Sequence, residues 1–272
     1  MNPLRRPQTA FVPLALACAA LAALLGGCGP SGKPAPPEHS HRRTPTEIVV
    51  SVPSSLAPAV EATVPAFETA RPDIKVLVNS GSSGALTAQT IAGAPTDLVL
   101  TADPRWMAAL VAAGRLQPDD VRPLAGNTLV LAVPAASTVA FRDLVDLLTD
   151  DFSRIAIGDP EVAPVGSYAR TELTNHGLWR GVEPKAVFAP NARQALDWVV
   201  RGEVDAGFLF RSDALSAGDA VRILAELPLP ETVYEVALPL GGPHPREAQL
   251  FMDHLLGESF KETLKQRGFR VD

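Results

Sequence analysis

Short apolar runs alternate with longer amphipathic segments along most of the chain. The runs are rich in valine, isoleucine and leucine, which is typical of buried strands, and the segments between them carry apolar residues at helical spacing. We expect strands at residues 47–52, 74–78, 98–101, 129–133, 155–157, 186–189, 206–210 and 234–238. We expect helices at 56–70, 85–92, 104–113, 141–148, 168–176, 192–201 and 245–256, with a last amphipathic turn through Lys265.

This alternation of strands and helices predicts an α/β architecture, in which mostly parallel sheets are covered by helices. The run at 129–133 begins a second series of strands and helices. We therefore expect two α/β lobes, with chain crossings near residues 126–129 and 229–235, an arrangement that permits closure around a ligand.

The N-terminus has the pattern of a secretory signal peptide at residues 1–27. Arg5 and Arg6 precede an uncharged run over residues 10–27. The run is almost long enough for a membrane-spanning helix, but Pro13 and its Gly-Gly end argue against one. Residues 25–28 (LGGC) resemble a bacterial lipoprotein cleavage box, so we expect lipid on Cys28 and a membrane anchor on the periplasmic or extracytoplasmic face.

Residues 28–46 predict a solvated tether between this anchor and the folded body. The segment holds five prolines and has no apolar periodicity. His39 and His41 could bind a metal loosely, but two donors on an extended segment do not make a closed site. We interpret both as linker residues.

Charge and cysteine content exclude several classes of function. The formal net charge is −6 and the body has no basic cluster, which argues against a nucleic-acid partner. The two cysteines, Cys18 and Cys28, both precede the body. Disulfides, zinc fingers, iron–sulfur clusters and cysteine catalysis are therefore excluded for the folded region.

Small residues and hydroxyl groups cluster where a strand leads into a helix, which is the edge where open α/β folds bind ligands. A helix start offers unpaired N–H groups and a positive dipole end, so it suits an anion. The alternative is that Ser55 and Ser83 only cap their helices. Arg193 is the one basic residue in these turns. The turns are 54–55 (SS), 80–84 (SGSSG), 164–167 (PVGS) and 190–192 (PNA).

The same turns contain no carboxylate. Uncharged hydroxyls and amides can hold a tetrahedral dianion by charge-assisted hydrogen bonds. A protonated oxyanion such as hydrogen phosphate would also need an acceptor, whereas a fully ionised oxyanion needs donors only. We therefore expect a cleft for a small, fully ionised anion.

Several stretches, taken in order, resemble the periplasmic molybdate-binding proteins of molybdate ABC transporters, a family of type 2 periplasmic solute-binding proteins. They are residues 81–86, 93–98, 101–107, 126–130, 158–160, 164–169, 212–214 and 268–269. The resemblance covers about 47–272. It implies a two-lobed periplasmic-binding-protein fold with the ligand between the lobes. The first lobe would be residues 47–127 with 233–272, and the second 128–232.

The resemblance also implies a binding site for molybdate or tungstate held by hydrogen bonds alone, with no cofactor. The hydroxyl and amide donors of the first lobe fall on Ser55 and Ser83, and the backbone donors of the second lobe fall on Val165 and Ala192. A family tyrosine falls on Phe210, which keeps the ring and loses the hydroxyl. Ser54 or Ser167 could replace that donor.

From this resemblance we expect a monomeric transport receptor, not an enzyme, that captures the oxyanion and delivers it to an ABC permease. Because of Phe210, a receptor for another oxyanion or a small organic anion is the alternative. An organic anion would need an arginine clamp, for which Arg193 and Arg211 are candidates. A ferric site would favour clustered tyrosines, and Tyr168 and Tyr234 are the two tyrosines of the chain. For a serine hydrolase, residues 81–84 lack the G-x-S-x-G spacing.

Overall fold

The computed structural model describes residues 44–229 and 234–271. The predicted signal peptide, the lipidation site at Cys28 and most of the predicted tether lie outside the described residues. Within the described part of the chain, no helix is long and apolar enough to cross a membrane.

The strands form two five-stranded sheets. The first sheet has the order β2-β1-β3-β10-β4 and the second has the order β7-β6-β8-β5-β9. The strands are β1 (Thr46–Pro53), β2 (Ile74–Gly81), β3 (Leu98–Thr101), β4 (Arg122–Ala125), β5 (Thr128–Pro134), β6 (Ile155–Gly158), β7 (Ala186–Ala189), β8 (Ala206–Phe210), β9 (Val221–Pro228) and β10 (Tyr234–Ala237).

Nine α-helices lie between and after these strands in the described residues. They are α1 (Ala57–Ala70), α2 (Ser83–Ile91), α3 (Pro104–Ala112), α4 (Pro164–Asn175), α5 (Trp179–Val182), α6 (Ala192–Val200), α7 (Arg211–Ser216), α8 (Pro245–Leu256) and α9 (Glu258–Gln266). Short 3-10 turns occupy Pro118–Asp120, Leu144–Leu148, Glu183–Lys185 and Gly218–Ala220.

The two sheets share one plan, which confirms the predicted α/β class. In the first sheet β1 pairs in parallel with β2 and β3, and β10 is antiparallel to both of its neighbours. In the second sheet β6 pairs in parallel with β7 and β8, and β5 is antiparallel to both of its neighbours. Four of the five strands of each sheet therefore run in one direction.

Central strands are buried along their whole length, which explains their continuous apolar runs. All five residues of β8 are buried, as are Leu129–Val133 of β5. A strand that is covered on both faces has no need of alternating polar positions. Edge strands differ: β9 mixes Arg222 and Glu226 with apolar residues and is mostly half-buried or exposed.

The helix predicted at 141–148 is wrong. The structure has only the 3-10 turn Leu144–Leu148 there. The Asp143 carboxylate accepts from Val145 N at 2.8 Å, and the Asp146 carboxylate accepts from Arg142 N at 2.6 Å. These side-chain bonds close the backbone into a tight turn in competition with a helical ladder.

The chain passes from the first sheet to the second through Gly126 and Asn127, between β4 and β5. The parallel strands β1 and β2 end at residues 53 and 81, and β6 and β7 end at residues 158 and 189. The segments that follow these strand ends come together and build the site described below.

Candidate functional site

A small closed cavity lies where the two sheets present the helix starts to each other. Its volume is about 10 Å³, far below the roughly 300–1,000 Å³ of pockets that take organic ligands. The four predicted contacts line it, as do the candidates Ser54 and Phe210, whereas the candidates Ser167, Arg193 and Arg211 do not. The lining residues are Pro53, Ser54, Ser55, Gly81, Ser82, Ser83, Ala102, Ala163, Pro164, Val165, Ala192 and Phe210.

Ser83 is a buried hydroxyl that accepts a backbone hydrogen bond, and it is not a helix cap. The cap of α2 is Ser82, whose Oγ accepts from Ala85 N at 3.3 Å. Ser83 is the first residue of α2 and is fully buried, and its Oγ accepts from Ala102 N at 2.9 Å. Its own hydroxyl hydrogen meets no acceptor in the described residues, so it is free to bind a guest.

Ser55 is not a cap either. The residue before α1 is Leu56, and no side chain caps this helix. Ser55 is buried, and its Oγ lies 2.8 Å from the hydroxyl oxygen of Tyr234. The interpretation of Ser55 and Ser83 as mere caps is therefore wrong for both.

Five backbone amides at the cavity have no acceptor within residues 44–229 and 234–271. Four belong to the predicted contacts Ser55, Ser83, Val165 and Ala192, and the fifth is the amide of Ser82 in the same lining. The sequence had suggested that Val165 lies in a turn before the helix. Because α4 begins at Pro164, Val165 lies instead in the first helical turn. Buried N–H groups are nearly always paired, so five unpaired amides at one cavity indicate a place for external acceptors.

The donors come from both sides of the cavity, and four bonds hold the sides together, of which one runs from Ser167 Oγ to Asp103 Oδ2 at 3.4 Å. Gly84 N donates to Val162 O at 3.0 Å, Ser54 Oγ accepts from Arg193 N at 3.4 Å, and Arg105 Nη2 donates to Pro160 O at 2.9 Å. A Cβ atom at Gly84 would lie 2.8 Å from both Cα and O of Val162, so this closed contact requires glycine.

No charged side chain is among the lining residues of the described cavity. The side chain of Arg193 is about half exposed and lies 3.5 Å from Asp197, and that of Arg211 lies 3.3 Å from Glu226. Neither arginine clamps a guest in the cavity. The starts of α2, α4 and α6 lie there instead and supply positive dipole ends.

Phe210 places an apolar ring at the cavity where the resemblance implied a hydroxyl. The ring is buried at the end of β8, and its centroid lies 6.4 Å from that of Tyr168 and 5.9 Å from that of Tyr234. Neither tyrosine lines the cavity. Ser167 does not line it either, since its hydroxyl donates to Pro164 O at 2.9 Å.

Two residues behind Ser55 form contacts that the sequence did not indicate. Asn127 and Tyr234 are fully buried, and Asn127 Nδ2 donates to the Tyr234 hydroxyl at 3.2 Å. In the sequence, residues 126–130 stood out as a chain crossing and as part of the resemblance, and Tyr234 as part of a strand and as one of the two tyrosines. Their contact with each other and with Ser55 joins distant parts of the chain, which local pattern cannot show.

A buried carboxylic acid lies beside this cluster. Burial raises the pKa of Asp213 to about 7, although nearby Arg193 lowers it. Asp213 Oδ2 has no partner among the described residues. With Ser55, this residue borders a second cavity of about 130 Å³ next to the first.

The described part of the chain shows no arrangement of side chains suited to metal binding or to serine catalysis. No group of three or more His, Cys, Asp or Glu side chains there could hold a metal ion. The three histidines that the structure describes pair elsewhere: His244 with Asp97, His254 with Thr63, and His176 with the carbonyl of Glu172. No histidine lines the cavity to activate a serine.

Comparison with known proteins agrees with the resemblance. Residues 48–270 match the family described as bacterial extracellular solute-binding proteins. The molybdate-binding protein ModA of Escherichia coli (strain K12) is 33% identical over 233 residues, covering 83% of this chain and 89% of that protein. ModA of Haemophilus influenzae is 28% identical over 231 residues, covering 82% of this chain and 89% of that protein.

A solved structure shows the same fold. The periplasmic molybdate-binding protein of Azotobacter vinelandii superposes with a TM-score of 0.72 at 22% identity, covering 83% of this chain and 99% of that one. The predicted two-lobed periplasmic-binding-protein fold is confirmed. Since the family match spans nearly all of the described residues, the chain belongs to the bacterial extracellular solute-binding protein family.

Proposed function

We propose that the protein is an extracytoplasmic lipoprotein that captures molybdate or tungstate and delivers it to an ABC transporter permease. In this proposal the first lobe (47–127 with 233–272) and the second lobe (128–232) close on the oxyanion. The protein acts as a monomeric receptor without catalysis and without a cofactor.

The observation that carries the proposal is a cavity of unpaired donors. Ser55, Ser83, Val165 and Ala192 line one small cavity, and their backbone amides have no acceptor among the described residues. No cation and no carboxylate lines that space. Fixed, uncharged donors of this kind suit a tetrahedral dianion that brings acceptors on every side.

The relatives support molybdate as the guest. Two relatives of nearly full coverage are named as molybdate-binding proteins. Both candidate arginines make ion pairs away from the cavity, which argues against the alternative of an organic anion held by an arginine clamp. A different oxyanion stays as the second candidate, because Phe210 removes a donor that the family site possesses.

Calorimetric titration of the purified protein with molybdate, tungstate, sulfate and phosphate tests the proposal. We expect saturable binding of molybdate and tungstate at one site. Preference for sulfate would support the second candidate. No heat with any of the four would contradict an oxyanion receptor altogether.

The proposed membrane anchor is inferred from residues 25–28 and is tested separately. Replacement Cys28→Ala is expected to abolish incorporation of labelled fatty acid and to release the protein from the membrane fraction. It leaves the oxyanion site unchanged, so binding in solution serves as the control. Unaltered membrane attachment of this variant would contradict the lipoprotein assignment.

A further inference from the structure

The hydroxyl of Ser55 is backed by a short chain of buried hydrogen bonds. Asn127 Oδ1 accepts from Thr128 N at 2.8 Å, which turns the amide nitrogen toward the interior. Asn127 Nδ2 then donates to Ser212 Oγ at 2.9 Å and to Tyr234 Oη at 3.2 Å. Tyr234 Oη lies 2.8 Å from Ser55 Oγ.

This arrangement favours one direction for the protons. An amide nitrogen can only donate, so the Tyr234 oxygen accepts from Asn127. Either hydroxyl of the Tyr234–Ser55 pair can donate, and we assign Tyr234 as the donor because its oxygen already accepts from Asn127. Burial raises the pKa of Tyr234 above its usual range, so its hydroxyl hydrogen stays in place. With one lone pair of its oxygen engaged as an acceptor, Ser55 keeps its own hydrogen to donate to a guest in the small cavity that it lines.

We propose that Asn127 and Tyr234 are positioning residues that hold Ser55 as a donor to the guest and thereby favour a fully deprotonated oxyanion over one that carries a hydrogen. The inference rests on the proposed function, since it assumes that the cavity binds an oxyanion. Tyr234 does not line the cavity, so it acts through Ser55 and not by contact with the guest.

The selection has a simple physical basis. A hydrogen-bearing dianion such as hydrogen phosphate must donate one hydrogen bond or bury an unsatisfied O–H group, which is costly. Ser83 Oγ already accepts from Ala102 N, and Ser54 Oγ accepts from Arg193 N. When Tyr234 also donates to Ser55, each of the three serine oxygens has one of its two lone pairs occupied by a protein donor, so the serines offer the cavity their hydrogens and fewer acceptor sites. Freeing Ser55 would return one acceptor to the cavity.

Substitution Tyr234→Phe removes the hydroxyl and keeps the ring. The centroid of this ring lies 5.9 Å from that of Phe210 and 5.3 Å from that of Phe269. We expect molybdate to bind several-fold more weakly and phosphate more tightly. The ratio of the phosphate to the molybdate dissociation constant, measured by calorimetry near pH 8, should fall by about tenfold, the effect of roughly one hydrogen bond. An unchanged ratio would overturn the proposal.

The matched control is Tyr168→Phe, which makes the same replacement on the other tyrosine beside Phe210. Its hydroxyl makes no bond to Ser55, so we expect the ratio to stay at the wild-type value. In a Ser55→Ala background, Tyr234→Phe should no longer change the ratio, because the effect passes through Ser55. A ratio change that persists in this background would contradict the positioning role.

A second variant covers the case in which Tyr234→Phe folds poorly. Asn127→Ser removes the amide that faces Tyr234 and should shift the ratio in the same direction, whereas a wild-type ratio would contradict the relay. Failure of the proposed function gives a different result, because the wild-type protein would then bind neither molybdate nor phosphate. The two hypotheses are thus tested separately.

Discussion

The two sides of the cavity present donors of different kinds. The side that follows β1 and β2 contributes the hydroxyls of Ser55 and Ser83 together with their amides, whereas the side that follows β6 and β7 contributes the amides of Val165 and Ala192. Side-chain donors can be removed by mutation, but backbone donors are kept by any residue except proline. On the first side the donors depend on the identity of the side chains. On the second side they depend only on where the backbone places its N–H groups.

The largest effect is expected from Ser83→Ala. The variant loses a hydroxyl donor to the dianion and leaves the buried amide of Ala102 without its acceptor. We expect oxyanion affinity to fall about ten- to a hundredfold by calorimetry. The control is Ser259→Ala, on the exposed surface of α9. Equal affinities for the two variants would break the comparison.

The next largest loss of affinity is expected from Gly84→Ala, which disturbs the contact between the two sides of the cavity. In Gly84→Ala the added Cβ would lie 2.8 Å from backbone atoms of Val162, which cannot move as a side-chain end can. Overpacking of this kind costs about 1–3 kcal/mol, so we expect affinity to fall roughly tenfold or more. Small-angle scattering with ligand should then show a less compact form. Wild-type affinity would mean that this contact is not part of the bound state.

Phe210→Tyr tests whether the second side can gain a side-chain donor. The ring lines the cavity, so a hydroxyl on it would add one bond to a charged guest. We expect binding about tenfold tighter. An unchanged or weaker dissociation constant would show that the ring edge does not face the oxyanion.

Val165→Ala should have the smallest effect on affinity. The amide donor remains, so we expect a change of less than about threefold in the dissociation constant. The buried side chain contributes to the core instead, and its loss should lower the free energy of unfolding by about 1–3 kcal/mol. A large loss of affinity with little loss of stability would reverse the proposed division between side-chain and backbone donors.

Asp213 provides a test through the pH dependence of folding stability. It is a buried side chain of the second side that does not line the cavity. Its pKa is raised from 3.8 to about 7 on folding. The unfolded chain therefore ionises first as pH rises, and the folded state loses stability between about pH 4 and pH 7. Relative to Asp213→Asn, wild type should lose on the order of 2–4 kcal/mol across this interval in denaturant titrations. A pH-independent difference would contradict this.

The sequence predicted the elements that place the site because their patterns are local. Strand ends, small residues and helix starts near Ser55, Ser83, Val165 and Ala192 are all local features, and the structure brings these four residues to one cavity. The edge strands β4 and β9 were missed, since half-exposed strands lack a continuous apolar run.

The bonds behind the site could not be predicted. Ser55 and Tyr234 are separated by 179 positions, and Asn127 and Tyr234 by 107. No spacing rule connects residues so far apart, and Tyr234 fits its strand equally well as a plain core residue. The roles of Ser82 as cap and Ser83 as donor also depend on where α2 begins, to a single residue.

Crystals grown with tungstate provide the most direct measurement, since tungsten gives a strong anomalous signal. The account predicts one peak in the small cavity, with oxygens within hydrogen-bond distance of Ser55, Ser83, Val165 and Ala192 and no charged side chain in contact. A peak at another place, or an anion paired with an arginine or lysine, would contradict it.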